Sequence, residues 1–63
     1  QDDAQSQWML GECYHEGNGV DQDYKKAIYW FKKAANQNEE EAQFRVGEYY
    51  YFGYATEVIL SIL

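Results

Sequence analysis

The residues with the widest chemical reach are Cys13 and His15, the single cysteine and single histidine of a 63-residue chain. A thiolate and an imidazole are the raw material of a zinc site, or of a nucleophile with its base. Set two residues apart on a helix, however, they point about 200° from each other, so they neither chelate one ion nor pass a proton directly. Cys13 then reads as a small half-buried apolar residue and His15 as a flank of a helix-to-turn corner. Glu39, Glu40 and Glu41 supply carboxylates for acid–base work, but adjacent acids suit the positive end of a helix better. Gly17-Asn18-Gly19 is too short for a phosphate-cradling loop, and no Lys-Ser or Lys-Thr follows at the required spacing. The expectation is a chain with no catalytic set, no cofactor and no metal.

A chain this short buries only about 60% of the surface its unfolded form exposes, so its core must be thin. Hydrophobic residues still make up 46% and aromatics 19%, with seven tyrosines and two tryptophans, which argues for a folded segment. The net charge of -6, from 11 acids against 5 bases, argues against a nucleic acid partner, because phosphate affinity rests on clustered Lys and Arg. There is no initiator methionine, no basic-then-apolar leader and no apolar run near the roughly 20 residues of a membrane helix. The expectation is a soluble segment, open to being cut from a longer chain, with no membrane span. Localisation is not legible, and Cys13 alone cannot form an intrachain disulfide.

The elements that must position these residues are helical. Tyr24, Ala27, Ile28, Phe31, Ala34 and Ala35 recur three and four apart, the helical period, and proline is absent. A first helix is expected from about Ala4 to Glu16, stopped by Gly17 in the left-handed conformation and followed by a tight turn through Gly19. Val20 is expected to tuck under that turn. Asp21 is the expected cap of the second helix, with Asp23 in its first turn and Lys32 and Lys33 in its last. That helix should end near Asn36, leaving Asn36-Gln37-Asn38 as a loop before Glu39, Glu40 and Glu41 open a third helix. Short loops make the helices antiparallel neighbours.

Adding 36 to each position of the first helix maps Leu10 to Val46, Gly11 to Gly47, Glu12 to Glu48, Tyr14 to Tyr50, Gly17 to Gly53 and Trp8 to Phe44. This is an internal repeat, a helix pair that must stack on copies of itself to bury its apolar stripe. Gly11 falls in mid-helix, where glycine costs about 1 kcal/mol relative to alanine, so a close helix approach should compensate. Ala27 and Ala34 are the expected partners on the facing helix, with Tyr14 filling the space beside them.

Together these residues resemble a Sel-1-like repeat. The resemblance lies in Leu10-Gly11, Tyr14, Gly17-x-Gly19-Val20, Asp23, Lys26-Ala27, Trp30 and Lys33-Ala34-Ala35, then again in Ala42, Val46-Gly47, Tyr50 and Gly53. It implies an all-α fold of antiparallel helix-turn-helix repeats, an α/α solenoid like that of tetratricopeptide arrays. Those arrays repeat about every 34 residues, so the longer register and the Gly17 to Val20 turn favour the Sel-1-like reading. The implied role is that of an adaptor or scaffold that binds a protein or peptide partner. The repeat-packing residues it implies are Leu10, Gly11, Tyr14, Gly17, Gly19, Ala27, Trp30, Ala34, Gly47 and Tyr50.

The expected division is a first repeat over 4–38 and a partial second over 39–63, about one and a half repeats where solenoids generally need three or more. A homo-oligomer or a longer parent array is therefore expected. After Gly53 the pattern lapses into Val58-Ile59-Leu60-Ser61-Ile62-Leu63, which reads either as a buried cap or as a truncated or partner-dependent segment; the alternative to the adaptor role is a structural terminal cap or self-assembly segment that associates through this apolar tail. Related solenoids line a concave groove with the first helix of each pair, which makes Met9, Glu12, Arg45, Glu48 and Phe52 the candidate partner-binding set. The alternative is that these residues are simply solvated, Phe52 touching the apolar end. Trp8, Tyr14, Trp30, Phe31, Phe44 and Tyr50 are expected in the core, and Tyr29, Tyr49, Tyr51 and Tyr54 are surplus to the pattern and expected half-exposed. Lys25, Lys26, Lys32 and Lys33 read as solvated and ion-paired.

Overall fold

Each helix in the structure begins on a carboxylate. The structure is a computed structural model, and it describes residues 3–53, so the reading of Val58 to Leu63 as a cap lies outside the described residues. The order is α1 (Ala4–Glu16), α2 (Tyr24–Ala35) and α3 (Glu40–Phe52), with no strand among the described residues. Asp3 accepts from the Ser6 N–H at 2.8 Å, Asp23 from Lys26 at 3.1 Å and Glu39 from Ala42 at 2.7 Å. Each bond satisfies one of the donors that a helix start leaves orphaned. The Ser6 N–H, and then the Ser6 hydroxyl, hold the Asp3 carboxyl below its ordinary 3.8. That contribution to stability is present above the ordinary value and is lost as pH falls through the lowered one.

The cap of α2 is Asp23 and not Asp21. The Asp23 N–H donates to the Tyr14 carbonyl at 2.9 Å, which pins this residue against α1, whereas Asp21 lies exposed in the turn. Asp23→Ala should therefore cost about 1 kcal/mol and Asp21→Ala less than about 0.5 kcal/mol, read as a shift in thermal midpoint. At the other ends, Gly17 and Gly53 both take the left-handed conformation, with φ of 71° and 73°. Val20 does not tuck under the first turn and is 41% exposed. Gln22 closes that turn instead, its side-chain amide donating to the His15 carbonyl at 2.9 Å. The Asn36 to Asn38 loop and the Lys32 and Lys33 positions are as expected.

The middle helix carries the core. Ala27, Ile28, Phe31 and Ala34 form one buried stripe on α2, which packs against both α1 and α3. Tyr49 of α3 completes the cluster, and Trp8, Tyr14, Tyr24 and Val46 pack partly buried against it. Gln7, a buried polar residue, is satisfied by the Gln37 side-chain amide at 2.7 Å, which ties α1 to the second loop. Gly11 is indeed a point of close approach, but the group over it is Phe31, with Ala27 and Ala34 buried on either side along the same stripe. Lys26 and Lys33 set their ammonium groups over rings, Lys26 over Tyr14 at 5.4 Å and Lys33 over Tyr29 and Trp30 at 5.4 and 5.5 Å. Their aliphatic stems thus cover aromatic surface.

Several expected core positions are open. Phe44 is 65% and Tyr50 47% exposed, Leu10 is half-exposed and Trp30 half-buried, while Tyr49 is completely buried. The cause is that a first helix has two packing faces. Gly11 and Tyr14 face forward, onto the second helix of their own pair; Ala42, Val46 and Tyr49 face back, onto the second helix of the pair before. Among the described residues α3 has no helix packed on its forward face, so Phe44, Gly47 and Tyr50 stay open, and α1 has none on its backward face, which leaves Leu10 open.

Candidate interaction face

The face that α1 and α3 share is organised around one cation. The Arg45 Nε donates to Glu12 Oε2 at 2.6 Å and its Nη2 to Glu12 Oε1 at 3.3 Å, a two-pronged bridge from α3 to α1. Its Nη1 donates to Glu48 Oε1 at 2.7 Å, one helical turn along α3. Its hydrogen bonds to Glu12, then that to Glu48, push the guanidinium well above its ordinary range against the opposing effect of burial. Arg45 thus stays charged wherever the chain is folded. With the side chains of the Glu12 pair only 27% and 18% exposed, the bridge is worth more than a fully solvated pair, whose contribution is about 0 to 1 kcal/mol.

Of the five sequence-derived candidates, the structure brings Glu12, Arg45 and Glu48 into one network. Met9 and Phe52, 53% and 58% exposed, lie outside it. The network changes what each member offers. Glu12 ties α1 to α3 through Arg45, and Glu48 holds the guanidinium from within α3, so both carboxylates are engaged internally more than they present charge to a ligand.

Among the described residues, Glu40 and Glu41 in the first turn of α3 are carboxylates on this side with no cation paired to them. They border an open pocket of about 340 Å³ whose other walls are Trp8, Phe44 and Arg45. A second open pocket, about 440 Å³, runs along α3 between Gln43, Phe44, Gly47, Glu48, Tyr51 and Phe52. Sequence reasoning missed Trp8, Glu40 and Phe44 as pocket walls, because repeat position assigned both aromatics to the core and helix polarity fully explained the glutamates. The available signal was spacing: Glu40, Glu41 and Phe44 sit four and three apart and share a face.

His15 is more than a corner flank. Its Nδ1 lies 2.7 Å from the Tyr49 hydroxyl, and its ring sits among those of Tyr24, Phe31 and Tyr49 at 5.5 to 6.2 Å. It joins α1 to α3 from inside, as Arg45 does from outside. Among the described residues no three His, Cys, Asp or Glu side chains are placed to hold a metal, and no helix is long and apolar enough to cross a membrane.

Comparison with known proteins accords with this geometry. The Sel1 repeat model matches residues 4–39 and 40–58. A sel1-like repeat-containing protein of Acanthamoeba polyphaga mimivirus is 43% identical over 49 residues, 78% of this chain but 9% of its own length. The chain thus spans about a tenth of that relative. No solved structure gives a significant match. Sel1 repeats are helical solenoid repeats, generally protein–protein interaction modules and generally non-catalytic. With two successive matches over most of its length, the chain belongs to the Sel1 repeat family.

Proposed function

We propose that this chain is an adaptor or scaffold segment, which holds a partner peptide or domain on the face shared by α1 and α3. The observation that carries this reading is the Glu12–Arg45–Glu48 bridge, which makes one surface of two helices that otherwise meet mainly through α2. Preorganisation of that kind lowers the ordering cost of binding. Met9 and Phe52 supply exposed apolar contacts on the same helices.

The test is selection of peptides from a displayed random library against the full chain, followed by affinity measurement on variants. Met9→Ala and Glu48→Lys should each weaken the selected peptides about tenfold, the effect of losing roughly 1.4 kcal/mol. Arg45→Glu should abolish binding, with circular dichroism as the check on folding. Selected peptides that bind all three variants as well as the parent would exclude this face.

A second reading, a structural cap or self-assembly segment, is favoured by the open forward face of α3 around Phe44, Gly47 and Tyr51. Exposed aromatics around a glycine seat suit a further helix. Sedimentation equilibrium on the full chain and on a version ending at Tyr54 separates the readings. Concentration-independent monomers of both would remove the second.

A further inference from the structure

We infer that the pocket between Trp8 and Phe44 takes a lysine or arginine side chain of a basic partner segment. The inference rests on reading the α1/α3 face as an interaction surface, and it names the chemistry of what binds there.

Charge is divided by helix in this fold. Glu12 and Glu16 on α1 and Glu40, Glu41 and Glu48 on α3 face a single cation, Arg45, whereas the four lysines all lie on α2. Arg45 is already held by Glu12 and Glu48. Among the described residues Glu40 and Glu41 therefore stand at the pocket with no cation paired to them, in a chain of net charge -6. The complementary occupant is positive.

The walls select the kind of cation. Trp8 and Phe44 put two aromatic surfaces in one pocket with the two carboxylates, and Phe44 is 65% exposed. An ammonium or guanidinium on a long aliphatic stem is the group that such a pocket serves, because the stem covers ring surface and the head meets both the ring faces and the carboxylates. A small inorganic cation would leave the rings uncovered.

Trp8 adds an independent observation. Its indole N–H is screened from water and has no acceptor among the described residues. A buried donor without an acceptor is destabilising, and a backbone carbonyl of the bound segment that reaches it removes that deficit.

The experiment is a nuclear magnetic resonance titration of the ¹⁵N-labelled full chain with a capped Gly-Lys-Gly-Lys-Gly peptide, and with the same peptide acetylated on its lysines. The free-lysine peptide should shift the Trp8 indole signal and the amides of residues 40–45, saturably, and the acetylated one should not. Glu40→Gln with Glu41→Gln should weaken binding about fivefold to tenfold, and Phe44→Ala by about as much, while the charge-matched pair Glu16→Gln with Asp21→Asn should change it less than about twofold. Equal weakening by the control pair, or an unmoved Trp8 indole signal, overturns the inference. Library-selected peptides that lack lysine and arginine but still depend on Met9 and Glu48 would also overturn it, and would leave the broader binding role standing. If instead the lysine peptide engages the pocket and Met9→Ala and Glu48→Lys do not affect library-selected peptides, the pocket stands and the broader face assignment fails.

Discussion

Tyr49→Ala should unfold the chain, while Tyr50→Ala, one residue on, should change its stability by less than about 1 kcal/mol. Tyr49 is completely buried, its ring meeting Phe31 at 5.7 Å and Tyr24 at 5.8 Å, both edge to face, while its hydroxyl joins His15. Removing a buried aromatic costs about 3–5 kcal/mol in lost transfer energy and residual cavity. A single thin core of this size rarely supplies more than about 3–5 kcal/mol in total, so the loss matches the whole stability. Tyr50 is 47% exposed and leaves little behind. Urea unfolding followed by circular dichroism reads the difference, and Tyr49→Phe, which keeps the ring, should retain a cooperative transition about 1 kcal/mol weaker. Comparable losses at 49 and 50 would mean that the back face of α3 does not carry the core.

The same pair of tyrosines locates what the sequence made legible. Helix positions and ends rest on local chemistry, and local chemistry is written in the chain. The run from Ala4 to Glu16, the left-handed stops at Gly17 and Gly53, and the basic last turn of α2 all follow from residues within a turn or two of one another. Asp21 against Asp23 was the local exception, because two carboxylates competed for one cap and a long-range bond from Asp23 to the Tyr14 carbonyl chose between them. Tertiary burial was less legible for a different reason. A register of 36 copies each position of α1 onto α3 but not its neighbours. Tyr50 inherits the role of Tyr14 only where a further helix covers it, whereas Tyr49, aligned with Cys13, meets a neighbour that Cys13 lacks.

The site was legible in the same partial way. Likeness to related solenoids placed Glu12, Arg45 and Glu48 on the groove side of their helices, and the bridge among them follows from side-chain length once α1 and α3 are adjacent. That Arg45 engages both Glu12 and Glu48, leaving Glu40 and Glu41 beside Trp8 and Phe44, depends on which face of each helix meets α2. Periodicity alone does not distinguish a forward aromatic from a backward one. Phe44 looked like core for that reason and lines a pocket instead.

Gly11 and Gly47 occupy the same repeat position and should answer the same substitution with opposite signs. At Gly47 no described atom lies within 4 Å of an added Cβ, so Gly47→Ala should raise stability by about 0.5–1 kcal/mol through the helical preference of alanine. At Gly11 the added Cβ would lie 2.5 Å from both Cδ1 and Cε1 of Phe31, a contact that cannot persist. Phe31 is completely buried and meets the rings of Tyr49 and His15, so its ring has no free direction in which to yield. Overpacking of this kind costs about 1–3 kcal/mol, more than alanine returns in helix preference, so Gly11→Ala should be net destabilising. Adding Phe31→Leu to Gly11→Ala tests the mechanism, since a smaller neighbour should recover part of the loss and the two substitutions should couple by at least about 0.5 kcal/mol. A stabilising Gly11→Ala would mean that α2 does not approach α1 closely there. Equal gains at both glycines would remove the physical reason for a glycine at the repeat's centre, whereas opposite signs tie that residue to the aromatic of the helix packed on it.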